Sequence, residues 1–238
     1  MGSHGGGIVV VSCGKLTLPI CWSDMPPSFA DQTLEVRDLV LERGERELFH
    51  GLAFELGSGE LLQLAGRNGS GKTSLLRVLC GLSRPLQGEV LWNGHQLSAQ
   101  EEGPAAHLAY LAHLNASKEE LNAEENIRLS SALQGRKIGR EEAWEMLGQL
   151  DLRGFEDLPV KFLSQGQKRR VALAKLLLSE RPLWIMDEPF AALDVQVIQV
   201  LKAYMEDQLK RGGMIVLTTH QAVPIEGPQQ TVTLGDAR

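Results

Sequence analysis

Cysteine is scarce: Cys13, Cys21 and Cys80 are the only three in 238 residues. An odd trio without metal-ligand spacing excludes a disulfide scaffold or a cysteine-built metal centre, and gives no reason to place the chain outside the cytoplasm. Cys80 lies in an apolar, helically spaced stretch, where a buried free thiol is expected. Long hydrophobic runs are missing too. None approaches the ~18 apolar residues that cross a bilayer, so any membrane-spanning partner has to be a separate chain. Basic charge is not in excess, with 24 Lys and Arg against 30 Asp and Glu and a net charge of −6, which argues against a nucleic-acid surface. The basic triplet Lys168-Arg169-Arg170 reads as a solvated helix face. Ile8 to Cys13 is too short for a secretory signal and lacks the basic residues that precede one, so it is not expected to serve as such a signal. The opening Met1 to Gly7 resembles a vector remnant or a misassigned start. Residues 1–32 are expected to form a poorly ordered extension or an added strand, ahead of a domain over residues 33–238. Apolar content is plentiful, 43% of the chain, enough for a full core in one domain with a subdivision.

Gly66-Arg67-Asn68-Gly69-Ser70-Gly71-Lys72-Thr73 matches G-x-x-x-x-G-K-[ST], the loop that wraps the phosphates of ATP or GTP in backbone N–H groups. Its glycines let the backbone approach phosphate oxygens in conformations that a Cβ forbids. Lys72 would meet the β- and γ-phosphates, Thr73 would offer its hydroxyl to Mg²⁺, and the nucleotide-binding set runs on to Ser74. Leu61 to Ala65 reads as a short buried strand entering the loop, and Leu75, Leu76, Val78 and Leu79 follow at helical spacing. A helix opening at Thr73 points its positive dipole end at the anion. Further on, Leu183 to Asp187-Glu188 is a second buried strand ending in two carboxylates. Asp187 suits Mg²⁺, held through water, and Glu188 suits orienting or deprotonating an attacking water.

Leu163-Ser164-Gln165-Gly166-Gln167 precedes a basic and apolar helix expected over Lys168 to Leu178. The pentapeptide resembles the LSGGQ signature of the ATP-binding cassette ATPases, with Gln165 in place of a glycine. The order of motifs is also theirs. The Asp-Glu strand follows the signature, Ala191-Ala192-Leu193-Asp194 resembles their D-loop, and His220, after a strand over Met214 to Thr218, resembles their switch histidine. The resemblance implies an α/β fold, an ABC-type P-loop cassette with a mixed sheet core, an antiparallel β layer and a small helical subdomain at about residues 114–165. The residue pattern allots Thr33 to Val40 and Leu52 to Leu56 to the antiparallel layer, and the Leu61, Leu183 and Met214 strands to a mostly parallel sheet. Asn122 with Glu125 marks a helix start, and Ala143, Met146, Leu147 and Leu150 line one face of another helix.

In that family two nucleotides are sandwiched between two cassettes, each site pairing one phosphate loop with the other subunit's signature. The resemblance therefore implies a homodimer in which Ser164, Gln165, Gly166 and Gln167 face the partner's γ-phosphate. It also implies that Glu188 acts catalytically on water and that His220 contacts the γ-phosphate and keeps Glu188 in line. Most of the family has a glutamine at the end of the strand corresponding to Leu108 to Leu111. Counting back from Glu125-Asn126, that position is His113, which takes the catalytic place. The aromatic residue that usually stacks on adenine appears as Arg43, able to lie on the base by cation–π contact. A shifted register would instead put Phe49 near the base and make His113 an ordinary loop residue.

Arg43, His113, the stretch Gly88 to Gly94, Arg181 to Phe190, the run Thr218-Thr219-His220-Gln221 and the short tail are similar to the ATP-binding subunit of the haem exporter of cytochrome c maturation, over residues 33–235. That likeness implies ATP and Mg²⁺ as cofactors and integral membrane transporter subunits as partners. It also implies a peripheral position on the cytoplasmic face of the inner membrane, and ATP hydrolysis coupled to haem release or export. Haem itself leaves no trace: there is no Cys-x-x-Cys-His and His107 and His113 are isolated, so haem contact falls to membrane partners. Two other readings stay open, an ATPase for another small-molecule or lipid exporter, and a soluble cassette acting as an assembly scaffold.

Overall fold

Strand alternation, helix caps and glycine turns account for most of the element boundaries in the computed structural model, which describes residues 12–13, 16–17, 28–44, 46–97, 103–113, 117–220 and 224–235. Met1 to Gly7, Cys21 and Gln221 fall outside the described residues. Two short strands, β1 (Ser12–Cys13) and β2 (Leu16–Thr17), pair antiparallel ahead of the main body. There follow β3 (Thr33–Arg43), β4 (Arg46–Gly57), β5 (Leu61–Gly66), α1 (Lys72–Leu79), β6 (Gln87–Trp92), β7 (His95–Gln96) and β8 (Leu108–Leu111). The second half carries α2 (Ala123–Leu133), α3 (Arg140–Gln149), α4 (Gln165–Leu177), β9 (Leu183–Asp187), α5 (Val195–Lys210), β10 (Met214–Thr218) and β11 (Gln229–Leu234).

The strands sort into an antiparallel sheet of order β4-β3-β6-β7 and a parallel sheet of order β11-β5-β10-β9-β8. In β9 and β10 every residue is buried, as expected for strands covered on both faces. Successive side chains point to opposite sides, which divides the core in two. Leu183, Ile185, Met214 and Val216 join Leu62, Leu64 and α1 against the antiparallel sheet. Trp184, Met186, Ile215 and Leu217 pack against the helices α2 to α5 on the other face. β3 and β4 run longer than their apolar alternation suggested, because a bulge between Val36 and Leu39, with Asp38 at φ 46°, resets the register and lets pairing continue to Arg43. β11, which sequence patterning did not single out, adds the outer strand beside β5.

Caps fix the helix starts. Asn122 accepts the Glu125 N–H at 2.8 Å while Glu125 accepts the Asn122 N–H at 2.9 Å, a reciprocal capping box. Ser164 and Gln167 repeat it at 3.2 and 2.9 Å. This cap explains why α4 opens at Gln165, three residues before the position expected from the basic run. In α3, Ala143, Met146 and Leu147 are buried, as is Leu150 at its C-cap. Among the described residues, no helix is long and apolar enough to cross a membrane.

Candidate functional site

The C-terminal ends of parallel strands gather polar groups at one edge of a sheet, and here they border a cleft of about 500 Å³. Asn68, Gly69, Gly71, Lys72, Thr73, Ser74, His113, Asp187, Glu188, Ala191 and His220 line it. The loop between β5 and α1 needs its glycines. Gly66 sits at φ 145°, and a Cβ there would lie 2.6 Å from Ser70 Oγ and 2.7 Å from the Leu234 carbonyl oxygen. Gly69 and Gly71 also have positive φ. Ser70 is buried beneath the loop. Gly71 offers no side-chain cap to α1, so the first-turn N–H groups of that helix suit an anion. Lys72 Nζ donates to the Gly66 and Arg67 carbonyl oxygens at 2.7 and 3.1 Å, folding the ammonium over the loop.

Across the cleft, two hydroxyls hold the Asp187 carboxylate. Thr73 Oγ1 donates to Asp187 Oδ2 at 2.9 Å and Thr218 Oγ1 to Asp187 Oδ1 at 2.7 Å. Thr218 Oγ1 also accepts the Glu188 N–H at 3.0 Å. Glu188 adopts φ 48°, a left-handed conformation that costs a non-glycine residue about 1–3 kcal/mol and tends to mark functional positions. Its Oε1 lies 3.4 Å from His220 Nε2. His113, just past β8, is exposed and borders the same cleft.

The remaining expected residues lie elsewhere. Ser164 and Gln165 are exposed at the start of α4, and a Cβ on Gly166 would sit 3.5 Å from the Ala192 carbonyl oxygen, so this helix start abuts the turn before α5. Asp194 caps α5, accepting the Gln196 and Val197 N–H groups at 2.9 and 3.0 Å. The Val197 N–H, with help from the Arg170 guanidinium, holds its carboxyl below the usual carboxylate range. Arg43 is exposed at the end of β3 opposite Arg46 and does not line the cleft. Leu48 and Phe49 of the same hairpin press on Gly71. Phe49 is buried in the core, which leaves it no face to offer a base.

The basic triplet of α4 is not the solvated face expected of it. Arg169 is 4% exposed, and Arg170 reaches from α4 to Asp151 Oδ2 at 2.8 Å and Asp194 Oδ2 at 2.5 Å. Arg169 and Thr218 are the site residues that sequence reasoning missed. A signal for Arg169 did exist, since it shares the helical stripe of Ala172, Leu173 and Leu176, all buried.

The profile of the ABC transporter family matches residues 49–191. The chain is 53% identical over 192 residues to the cytochrome c biogenesis ATP-binding export protein CcmA of Dechloromonas aromatica, covering 81% of this chain and 94% of that one. It is 43% identical to the protein of the same name from Vibrio cholerae, covering 86% of this chain and all of that one. Among solved structures, it resembles an ATP-binding subunit of an ABC transporter, with a TM-score of 0.69, 31% identity and 79% coverage of both chains. In fold it also matches an ATP-binding cassette dimer bound to ADP and Pi in a post-hydrolysis state, with a TM-score of 0.69, 24% identity and coverage of 79% of this chain and 88% of that one.

Proposed function

The chain belongs to the ABC transporter family as an ATP-binding cassette ATPase, and from there we propose that it is the ATP-hydrolysing subunit of an exporter that drives haem release or export for cytochrome c maturation. The observation that carries the ATPase chemistry is the convergence, in one cleft, of the phosphate loop, the Thr73–Asp187 pair and the Glu188–His220 pair. The α1 N-terminus and Lys72 bind the β- and γ-phosphates of ATP, Lys72 exchanging its loop carbonyls for phosphate oxygens. Glu188 accepts a proton from the attacking water, and His220 orients Glu188 and contacts the γ-phosphate. His113 completes the water's surroundings from β8. Arg43, at the hairpin beside Gly71, lies on the adenine face.

The donor set fits Mg²⁺. The Thr73 hydroxyl and the Asp187 carboxylate are hard oxygen ligands already within hydrogen-bond reach of each other, and no group of three or more His, Cys, Asp or Glu among the described residues would favour another ion. A site with few protein oxygens suits a cation that takes its other ligands from phosphates and water. When bound, Mg²⁺ neutralises charge developing on the β- and γ-phosphates.

Ser164 to Gln167 present a helix start on the protein surface, suited to the γ-phosphate bound by a second copy, with Asp194 at the same junction. The active unit is thus an ATP-sandwich homodimer. The region 114–165, with α2 and α3, forms the helical lobe that grips integral membrane subunits, and residues 1–32 precede the cassette in sequence, the Phe29 N–H bonding the Arg211 carbonyl oxygen at 2.8 Å and the Gln32 N–H bonding Ser58 Oγ at 2.8 Å. The names of its relatives support the export role, and a subunit that uses ATP for export belongs on the cytoplasmic face of the inner membrane, where the ATP is.

The ATPase is tested with Glu188→Gln, expected to bind ATP and accumulate as a dimer on size exclusion. Unchanged turnover would remove Glu188 from its role. The substrate is tested by a haem stain of membranes from cells carrying Lys72→Ala on the chromosome. Loss of covalent haem with haem b proteins intact supports the reading, and normal c-type cytochromes would discard haem while leaving the ATPase.

A further inference from the structure

Arg169 is a charged side chain in the core, 4% exposed, on a helix whose other buried residues are aliphatic. Burial pulls its guanidinium below the ordinary arginine range, while the charges of Asp187 and Glu188 pull it back. Burying a cation needs strong compensation, and the compensation here is concentrated at the cleft. Arg169 Nη2 donates to the Asp187 and Glu188 carbonyl oxygens at 2.7 and 2.8 Å, and Nη1 donates to the Ala112 carbonyl oxygen at 2.6 Å. All three acceptors are backbone groups of the cleft-lining segments or of their immediate neighbour: Asp187 and Glu188 carry the carboxylates, and Ala112 precedes His113.

Glu188 is the strained residue of the site, at φ 48°. Its N–H is held by Thr218 Oγ1 and its carbonyl by Arg169. With both ends of the residue fixed, the left-handed conformation persists and the carboxylate keeps its aim toward His220. A planar guanidinium can serve three carbonyls on two strands at once. An ammonium is a compact point charge without that fork.

We propose that Arg169 is a positioning residue for ATP hydrolysis, clamping the backbone of Glu188 and of the His113 segment so that both side chains face the attacking water. The proposal rests on the ATPase reading of the cleft. It also gives α4 two duties: its first residues face the partner's nucleotide, and its second turn sets the geometry of its own site.

The test uses full-length protein with Arg169→Gln and Arg169→Lys, measuring MgATP turnover per site, with active sites counted by stoichiometric binding of a fluorescent ATP analogue. A base misplaced by ~1 Å costs up to about a hundredfold in rate. Arg169→Gln is therefore expected to lose at least about tenfold in kcat per nucleotide-binding site with KM within about twofold of wild type. Arg169→Lys should fall between the two, keeping the charge with fewer directed donors. Because the two residues act as a unit, adding Arg169→Gln to Glu188→Gln should lower the residual rate no further. A kcat per binding site within about twofold of wild type would assign Arg169 to folding alone and overturn the proposal, as would an additive loss in the double variant. Should Arg169→Gln not fold, Arg169→Lys is judged by the same kcat criterion. A wild-type protein that binds ATP without hydrolysing it overturns the ATPase reading together with this one, whereas wild-type turnover matched by both variants overturns Arg169 only.

Discussion

Thr218 is the residue whose replacement most directly tests how the site is built. It is fully buried at the end of β10, and one hydroxyl donates to Asp187 Oδ1 at 2.7 Å while accepting the Glu188 N–H at 3.0 Å. Thr218→Val keeps the shape and removes both bonds. A hydrogen bond to a charged acceptor is worth about 1.5–3 kcal/mol, and a buried N–H left unpaired costs about 1–3 kcal/mol. Since the two terms share one hydroxyl and the strand can relax, the expected loss is about 3 kcal/mol. Thr218→Ser keeps the hydroxyl and deletes one buried methyl, for an expected loss of about 1 kcal/mol. Urea unfolding can be followed by tryptophan fluorescence, to which Trp184 contributes from a buried place on β9 in register with Ile215 of β10. If the hydrogen bonds matter as argued, the valine variant unfolds at lower urea than the serine variant and loses ATP turnover along with stability. A valine variant as stable as the serine variant would refute the reasoning.

Gly66→Ala places a methyl within 2.7 Å of both Ser70 Oγ and the Leu234 carbonyl. It should abolish nucleotide binding in a fluorescent-ATP titration and destabilise the fold by more than about 2 kcal/mol, since the loop and β11 cannot both retreat. Burial holds Lys175 at a pKa of about 8, below the ordinary lysine value of 10.5. The folded state therefore carries the cost of the charge fully below pH 8 and sheds it as pH rises toward the unfolded value, because the unfolded chain binds more protons in that window. Wild-type stability should rise between about pH 8 and 10.5, and Lys175→Met should flatten that slope in urea titrations run across it. Asn122→Ala removes the side-chain half of the α2 capping box, the bond from the Glu125 N–H to Asn122 Oδ1, and should cost about 1 kcal/mol by thermal or urea unfolding. Cys80 is buried, and burial pushes its thiol up to about 12. In a Cys13→Ser, Cys21→Ser background it should resist thiol reagents at pH 8 until the protein is unfolded.

Local rules determined a large part of this protein before any tertiary contact was known. The phosphate loop declared itself because G-x-x-x-x-G-K-[ST] is a backbone requirement: Gly66, Gly69 and Gly71 all sit at positive φ. Asn122–Glu125 was readable because a capping box closes within one turn. β9 and β10 were readable because short continuous apolar runs, here Leu183 to Met186 and Met214 to Leu217, are what doubly covered strands need. The same short-range logic failed where bonding partners lie far apart in sequence. Nothing near Thr218 says that its hydroxyl meets Asp187 across a parallel ladder, and nothing near Asp38 says that a bulge there prolongs β3. The basic triplet misled for that reason. Charge in a sequence points to solvent, but tertiary packing turned Arg169 inward to three carbonyls and Arg170 sideways to Asp151 and Asp194. The sequence alone thus determined which phosphate-binding chemistry the chain carries, since that chemistry is written in contiguous backbone geometry. Only the tertiary structure decided what holds Glu188 in its strained aim, because the groups that do so come from α4 and β10 and meet only when the sheet has assembled.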